Sequence, residues 1–243
     1  MSIDSRDAQF VTIIAECGHN WGGDMKLAKK MIHSAKENGA DIVKFQLYNT
    51  ETLNTGHYDE LKKAEITKFQ LDEIVKECQK VDIEFMASAF DTKRLEWILP
   101  YSKKIKIASR SIYNYELIQM AAQTKLPIIV SLGKYKERTL PTIRQNNAGV
   151  MFLYCVAQYP TKFEDLNFQR IRFERGVYAG FSDHTQGIEA PLVAVSRGAR
   201  IIEKHFTLDR KLPGCDQICS IEPKELKQMV TNIRKVEHIL YRG

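Results

Sequence analysis

Residues 199–206 read ARIIEKHF, an apolar and β-branched start that turns polar at Glu203, Lys204 and His205, where a buried strand would normally continue apolar. It is the last of eight strand-like segments. The others are VTIIAE (11–16), DIVKFQ (41–46), IEFMAS (83–88), KIKIAS (104–109), PIIVS (127–131), GVMFLYC (149–155) and VYAGFS (177–182). Amphipathic stretches lie between them. In MKLAKKMIHSAKENGA (25–40), Leu27, Ala28, Met31, Ile32 and Ala35 recur at helical spacing and Gly39 stops the helix. QLDEIVKECQKV, NYELIQMAAQTK, EAPLVAVSRGA and PKELKQMVTNIRKVEHIL repeat the theme. Two connectors are weaker: KYKERTLPTIRQNN (134–147) contains Pro141, which predicts a short fifth helix, and the sixth, around 165–174, is poorly patterned.

Eight strands alternating with helices in 243 residues predict an α/β fold, a (β/α)8 TIM barrel with eight parallel strands, as one domain over residues 1–243. A doubly wound open sheet is the alternative, but no GxGxxG follows the first strand. A barrel gathers its chemistry at the C-terminal ends of the strands. Those ends hold Glu16, Lys44, Gln46, Ser88, Lys106, Ser109, Ser131, Ser182, Asp183, His184, Glu203, Lys204 and His205, with Tyr159 just beyond the sixth strand. A lone Ser or Lys at a strand end is usually a solvated edge. As a set around one mouth, two of the lysines, Lys44 and Lys106, and several hydroxyls make a cradle for a phosphate or carboxylate. His184 and His205 follow strands seven and eight, which are neighbours in a barrel, so their imidazoles can converge on one ion and leave positions for water and substrate. His19, His33, His57 and His238 read as ordinary surface or core residues.

Composition narrows the function classes. The 36 Lys and Arg are interleaved with 30 Asp and Glu, so the net charge of +6 fits an anionic small substrate without a nucleic-acid surface. No apolar run is long enough to span a bilayer, and MSIDSRDAQF lacks a signal-peptide core, which reads as cytoplasmic and without a membrane partner. Five cysteines with no CxxC fit a reducing compartment, and Cys215 and Cys219 read as loop thiols in preference to metal ligands.

The stretches IIAECGHNWGGD (13–24), GADIVKFQ (39–46), KIKIAS (104–109), GFSDHTQGIEAPLVAV (180–195) and IIEKHFTLDRKLPGCD (201–216) resemble the sialic acid synthase family. The likeness runs from about residue 11 to residue 235, and its SDHT and EKHFTLDR motifs are specific. It implies a barrel enzyme that condenses phosphoenolpyruvate with an N-acetylated aminosugar aldehyde, N-acetylmannosamine or a relative, to a nonulosonic acid with loss of phosphate. A divalent cation, typically manganese, with magnesium or cobalt as alternatives, falls by this resemblance on His184 and His205. Phosphoenolpyruvate contacts fall on Lys44, Ser88, Lys106, Ser109, Ser131 and Ser182, with Ser88 where a threonine is usual. The essential acid corresponds to Glu16, while Tyr159 and Asp216 match positions that contact the acceptor or order the site.

The departures lie on the acceptor side. Asn20, Trp21, Gly22 and Gly23 stand where many relatives read NHNG, Ala157 where they have Asn or Ser, and Gln217 where many have His. The second βα connection is short. Relatives carry a C-terminal antifreeze-like domain that supplies an arginine to a partner subunit; no such segment follows in this sequence, so the expected partners are the two substrates, a homodimer mate, or a separate antifreeze-like chain. Arg110 is either a replacement for that arginine or surface charge. A synthase of the wider phosphoenolpyruvate-condensing group with another acceptor, and a non-catalytic sugar- or phosphate-binding relative, are the alternative functions.

Overall fold

The computed structural model describes residues 10–144, 149–174 and 177–241. All eight segments form strands: β1 Thr12–Gly18, β2 Ile42–Leu47, β3 Glu84–Ala89, β4 Ile105–Ile107, β5 Ile128–Ser131, β6 Val150–Cys155, β7 Gly180–Asp183 and β8 Ile201–His205. They hydrogen-bond in sequence order into a closed parallel barrel. Closure is made by β8 against β1, in register from Thr12 opposite Ile201 to Glu16 opposite His205.

The helices are α1 Met25–Glu37, α2 Tyr58–Lys63, α3 Lys68–Lys80, α4 Thr92–Ile98, α5 Tyr115–Gln123, α6 Glu189–Ser196 and α7 Pro223–Tyr241. The Asp24 side chain caps α1 by accepting from the Lys26 N–H, and Ala28, Met31, Ile32 and Ala35 form the buried stripe that the spacing predicts. A Thr67–Gln70 capping box starts α3. The second βα connection, residues 48–67, holds a 3-10 turn and α2. Neither α2 nor α4 is evident in the sequence, because helices this short bury only Leu61, or Leu95 and Ile98, too few to show a period.

The fifth and sixth connections differ from expectation. No helix forms over residues 134–144, and the end of that stretch, 145–147, lies outside the described residues. Among the described residues of the sixth connection, a 3-10 turn, Phe163–Asp165, is the one helical segment before β7. Side chains from irregular backbone cover the barrel there instead. Phe168 packs edge-on to Phe181 with ring centroids 5.1 Å apart and also contacts Tyr154 and Phe173, while Tyr135, Leu140 and Ile143 pack on the core outside β5.

Period-2 alternation divides the core in two. Outward residues such as Ile13, Val43, Phe85, Ile107, Val130, Phe181 and Ile202 pack under the helices. Inward residues Ile14, Ile42, Met86, Ile129, Leu153 and Ile201 form an apolar floor inside the barrel. Among the described residues no helix is long and apolar enough to cross a membrane.

Candidate active site

One inward step above the floor, the barrel turns polar. Two residues after Ile14, Ile42, Met86, Ile129, Leu153 and Ile201 come Glu16, Lys44, Ser88, Ser131, Cys155 and Glu203, and Lys106 and Ser182 complete the ring from β4 and β7. The register sets neighbours side by side: Glu16 with Lys44, Ser88 with Lys106, Ser182 with Glu203. All are buried.

The ring is a lattice of ion pairs and hydroxyls. Lys44 Nζ lies 2.7 Å from Glu16 Oε2 and 3.4 Å from Glu203 Oε2, and donates to Ser88 Oγ at 3.1 Å. Lys106 Nζ donates to Ser131 Oγ at 2.8 Å and lies 3.4 Å from Glu203 Oε1. Ser182 donates to Glu203 at 2.9 Å, and Gln46 donates to Glu16 at 2.7 Å. Gly18 makes the second contact feasible, because a Cβ there would stand 3.1 Å from both Gln46 Nε2 and Glu16 Oε1. Burial works against the Glu203 carboxylate, yet Lys106 and Lys44 hold it down at about 2. Burial raises the Glu16 carboxyl, with Lys44 opposing. Burial lowers the Lys106 ammonium, and Glu203 offsets this only in part. A buried cation with incomplete compensation is a favourable place for an incoming anion.

Above this ring stand the two histidines, their ring centroids 5.4 Å apart. His184 Nδ1 is 2.7 Å from the Val156 carbonyl oxygen and therefore donates to it, which leaves Nε2 unprotonated and available in the neutral ring. His205 Nδ1 lies 3.5 Å from Asp216 Oδ2. Turning one ring nitrogen toward a carbonyl or carboxylate is the support that metal-bound histidines ordinarily have, so this pair fits a divalent cation. Burial pushes His205 down to about 3, which keeps it neutral. Burial also disfavours the His184 imidazolium, but the adjacent Cys155 sulfur outweighs it and brings that ring up to about 9, so a cation there would displace a proton. Tyr159 roofs the pair, its ring 4.1 Å from His184 and 5.9 Å from His205, with 46% of the residue exposed at the mouth.

Residues 31–243 match the sequence profile of the NeuB family. The chain belongs to the NeuB family. Among its relatives is an N,N'-diacetyllegionaminic acid synthase of Legionella pneumophila, 35% identical over 95% of this chain and 73% of that protein. A pseudaminic acid synthase of Campylobacter jejuni is 35% identical, covering 96% of this chain and 76% of that one. A solved N-acetylneuraminic acid synthetase from Leptospira borgpetersenii superposes with a TM-score of 0.87 at 36% identity, over 96% of this chain and 86% of its own.

In this NeuB-family barrel Glu16, Lys44, Ser88, Lys106, Ser131 and Ser182 share one ring, and His184, His205, Tyr159 and Asp216 gather above it. Ser109 sits in a 3-10 turn after β4 and accepts from the Gly133 N–H at 2.6 Å. A Cβ at Gly133 would lie 2.8 Å from Cys155 Sγ and 2.9 Å from Ser109 Oγ, so glycine keeps that corner open.

Placement differs from the sequence reading at two strand-end residues, Lys204 and Asp183. Lys204 does not face the mouth with the other strand-end residues: it points out of the barrel, fully buried, 2.7 Å from Asp183 Oδ2 and bonded to the Thr185 carbonyl. Asp183 in turn accepts from the Thr185 N–H at 2.8 Å, so the pair fixes the turn after β7. Arg110 is exposed and lies over the Phe90 ring at 5.0 Å. His19, read as an ordinary surface or core residue, is buried at 6% exposure and stands among Glu60, Cys215 and Asp216. Glu203, the common partner of both lysines, is the main residue that sequence reasoning undervalued; its inward parity two residues before His205 is the signal that identifies it.

Proposed function

We propose that this chain joins phosphoenolpyruvate to the aldehyde carbon of an N-acetylated aminosugar, forming a nonulosonic acid and releasing phosphate. The observation that carries this reading is the pair of buried lysines, Lys44 and Lys106, set among Ser88, Ser131 and Ser182 directly below His184 and His205. Two ammonium groups and three hydroxyls suit the carboxylate and phosphate of a small anion, and His184, His205 and Tyr159 stand above them for a carbonyl compound. The relatives are named for different acids, so the proposal extends to the class of acceptor and not to one sugar.

Lys44 and Lys106 neutralise the donor's charges and the serine hydroxyls orient them, while Glu203 keeps both ammonium groups aimed. The chemistry that a divalent cation such as manganese supplies when held by His184 and His205 is Lewis-acid polarisation of the aldehyde oxygen. The methylene carbon of phosphoenolpyruvate forms the new carbon–carbon bond, and the aldehyde oxygen takes a proton to become a hydroxyl. The former enol carbon, now electron-poor, takes up water. Glu16, buried and with a raised pKa, holds that water and accepts its proton. That proton balances the one taken by the aldehyde oxygen; the carbon–oxygen bond to phosphate then breaks as the hydroxyl on the same carbon gives its proton to the leaving phosphate and becomes the keto oxygen, and Lys44 and Lys106 hold the departing charge. Tyr159, half-exposed against His184, flanks the sugar.

The test is incubation of the purified chain with manganese, phosphoenolpyruvate and a panel of N-acetylated aminosugars, reading phosphate release and keto-acid product together. Coupled formation of both supports the reading. Phosphoenolpyruvate binding without product across the panel would sink it in favour of another acceptor class.

A further inference from the structure

We propose that His19, Glu60 and Cys215 form a second cation site, for a thiophilic divalent ion of the zinc class, at the rim of the barrel and separate from the His184–His205 pair. The three come from distant parts of the chain: His19 follows β1, Glu60 lies in α2, and Cys215 lies in the loop between β8 and α7. His19 Nε2 is 3.3 Å from Glu60 Oε1 and 3.3 Å from Cys215 Sγ, and the three donor atoms all lie within 4.8 Å of one another. Zinc bonds of about 2.0 to 2.3 Å at tetrahedral angles place neighbouring donors about 3.4 Å apart. Two edges of the triangle already have that length. Thiolate, imidazole and carboxylate are also the donor mix that such ions select over magnesium or calcium.

An independent feature points the same way. With Nε2 committed to the cluster, the buried His19 Nδ1 has no hydrogen-bond partner, and the Asp216 carboxylate lies 3.6 Å from it. That is the carboxylate–histidine support expected behind a metal-bound ring. Glu60 is held in place by the Cys215 N–H at 2.7 Å. Three protein donors leave a fourth position for water or a substrate oxygen. Since Asp216 also lies 3.5 Å from His205, an ion here would tie α2 to the β8–α7 loop and fix the residue that supports the other pair.

Cobalt titration of the chelator-stripped full chain tests the proposal without reference to catalysis. We expect a near-ultraviolet thiolate-to-cobalt charge-transfer band that zinc abolishes by competition. It should disappear in Cys215→Ser and shift to higher cobalt concentration in Glu60→Gln, which replaces one of the three donors. It should persist in Cys155→Ser and in the His184→Ala/His205→Ala double variant, since Cys155 is the thiol beside the other pair. Circular dichroism checks the fold of each variant, and Glu60→Gln decides alone if Cys215→Ser unfolds. Absence of the band in the wild-type chain, or a band that survives Cys215→Ser and vanishes in Cys155→Ser, overturns the proposal.

Discussion

Lys44 Nζ and Glu16 Oε2 stand 2.7 Å apart on adjacent strands, their side chains 3% and 1% exposed. Lys44 has a second counter-ion in Glu203 at 3.4 Å, so its charge does not depend on Glu16 alone. Glu16→Gln should therefore preserve the cradle and remove the proton acceptor. We expect turnover to fall about 10²- to 10⁴-fold, the usual range for loss of a general base, with phosphoenolpyruvate affinity close to wild type by calorimetry. Unchanged phosphate release would remove Glu16 from the mechanism.

Lys106 should make phosphoenolpyruvate binding pH-dependent. Burial lowers its pKa below the ordinary 10.5, with Glu203 opposing, so the ammonium is lost at a lower pH than on an exposed lysine. The KM for phosphoenolpyruvate should rise with pH through an alkaline inflection below 10.5. Lys106→Gln should raise KM about 10- to 100-fold at neutral pH, the value of a charged hydrogen bond, and flatten the profile. The ligand-free chain should show the opposite trend in stability. Between the folded and unfolded pKa values of this lysine the unfolded state binds more protons, so its contribution to stability rises with pH.

The barrel and its polar ring are legible in the sequence because both follow from period 2. Ile14 then Glu16, Ile42 then Lys44, and Ile201 then Glu203 each place an apolar floor residue two positions before a polar one. The same parity assigns Lys204 to the outer face, where its partner Asp183 is found. Contacts between distant segments are not legible. Nothing local to His19 indicates that Glu60 and Cys215 will meet it, because that meeting depends on how α2 and the β8–α7 loop fold over the mouth. The lack of a regular helix among the described residues before β6 and β7 is hidden for a related reason: Tyr135, Leu140, Phe168 and Phe173 cover the barrel wall without needing a periodic backbone.

If His184 and His205 hold a divalent cation as proposed, Asp216 is placed to position His205. Its Oδ2 faces Nδ1 of His205 at 3.5 Å; burial raises its carboxyl, but the neighbouring imidazoles, among them His19 with its own raised pKa, bring it below the usual range. Asp216→Asn keeps the shape and weakens the support. Manganese affinity, followed by electron paramagnetic resonance, should fall about 10- to 100-fold, as for other partners behind a metal-bound ring. Phosphoenolpyruvate affinity measured without metal should stay at the wild-type value. A residue that served only to contact the sugar would leave manganese binding unaltered.

Lys204 separates stability from catalysis. Its ammonium and the Asp183 carboxylate are both fully buried at 2.7 Å, and Lys204 also bonds the Thr185 carbonyl, all on the outer face of the barrel. Lys204→Met leaves the Asp183 charge buried without its counter-ion, a change that costs about 3 to 5 kcal/mol in comparable pairs. Urea unfolding should report a loss of that size, and the Lys204→Met/Asp183→Asn double variant should recover part of it, since the orphaned charge is then gone. Because Lys204 lies on the opposite face of β8 from Glu203 and His205, kcat/KM per folded molecule should remain unchanged. A fall in kcat/KM at full folding would mean that the turn after β7, which Asp183 and Lys204 hold together, sets the position of His184.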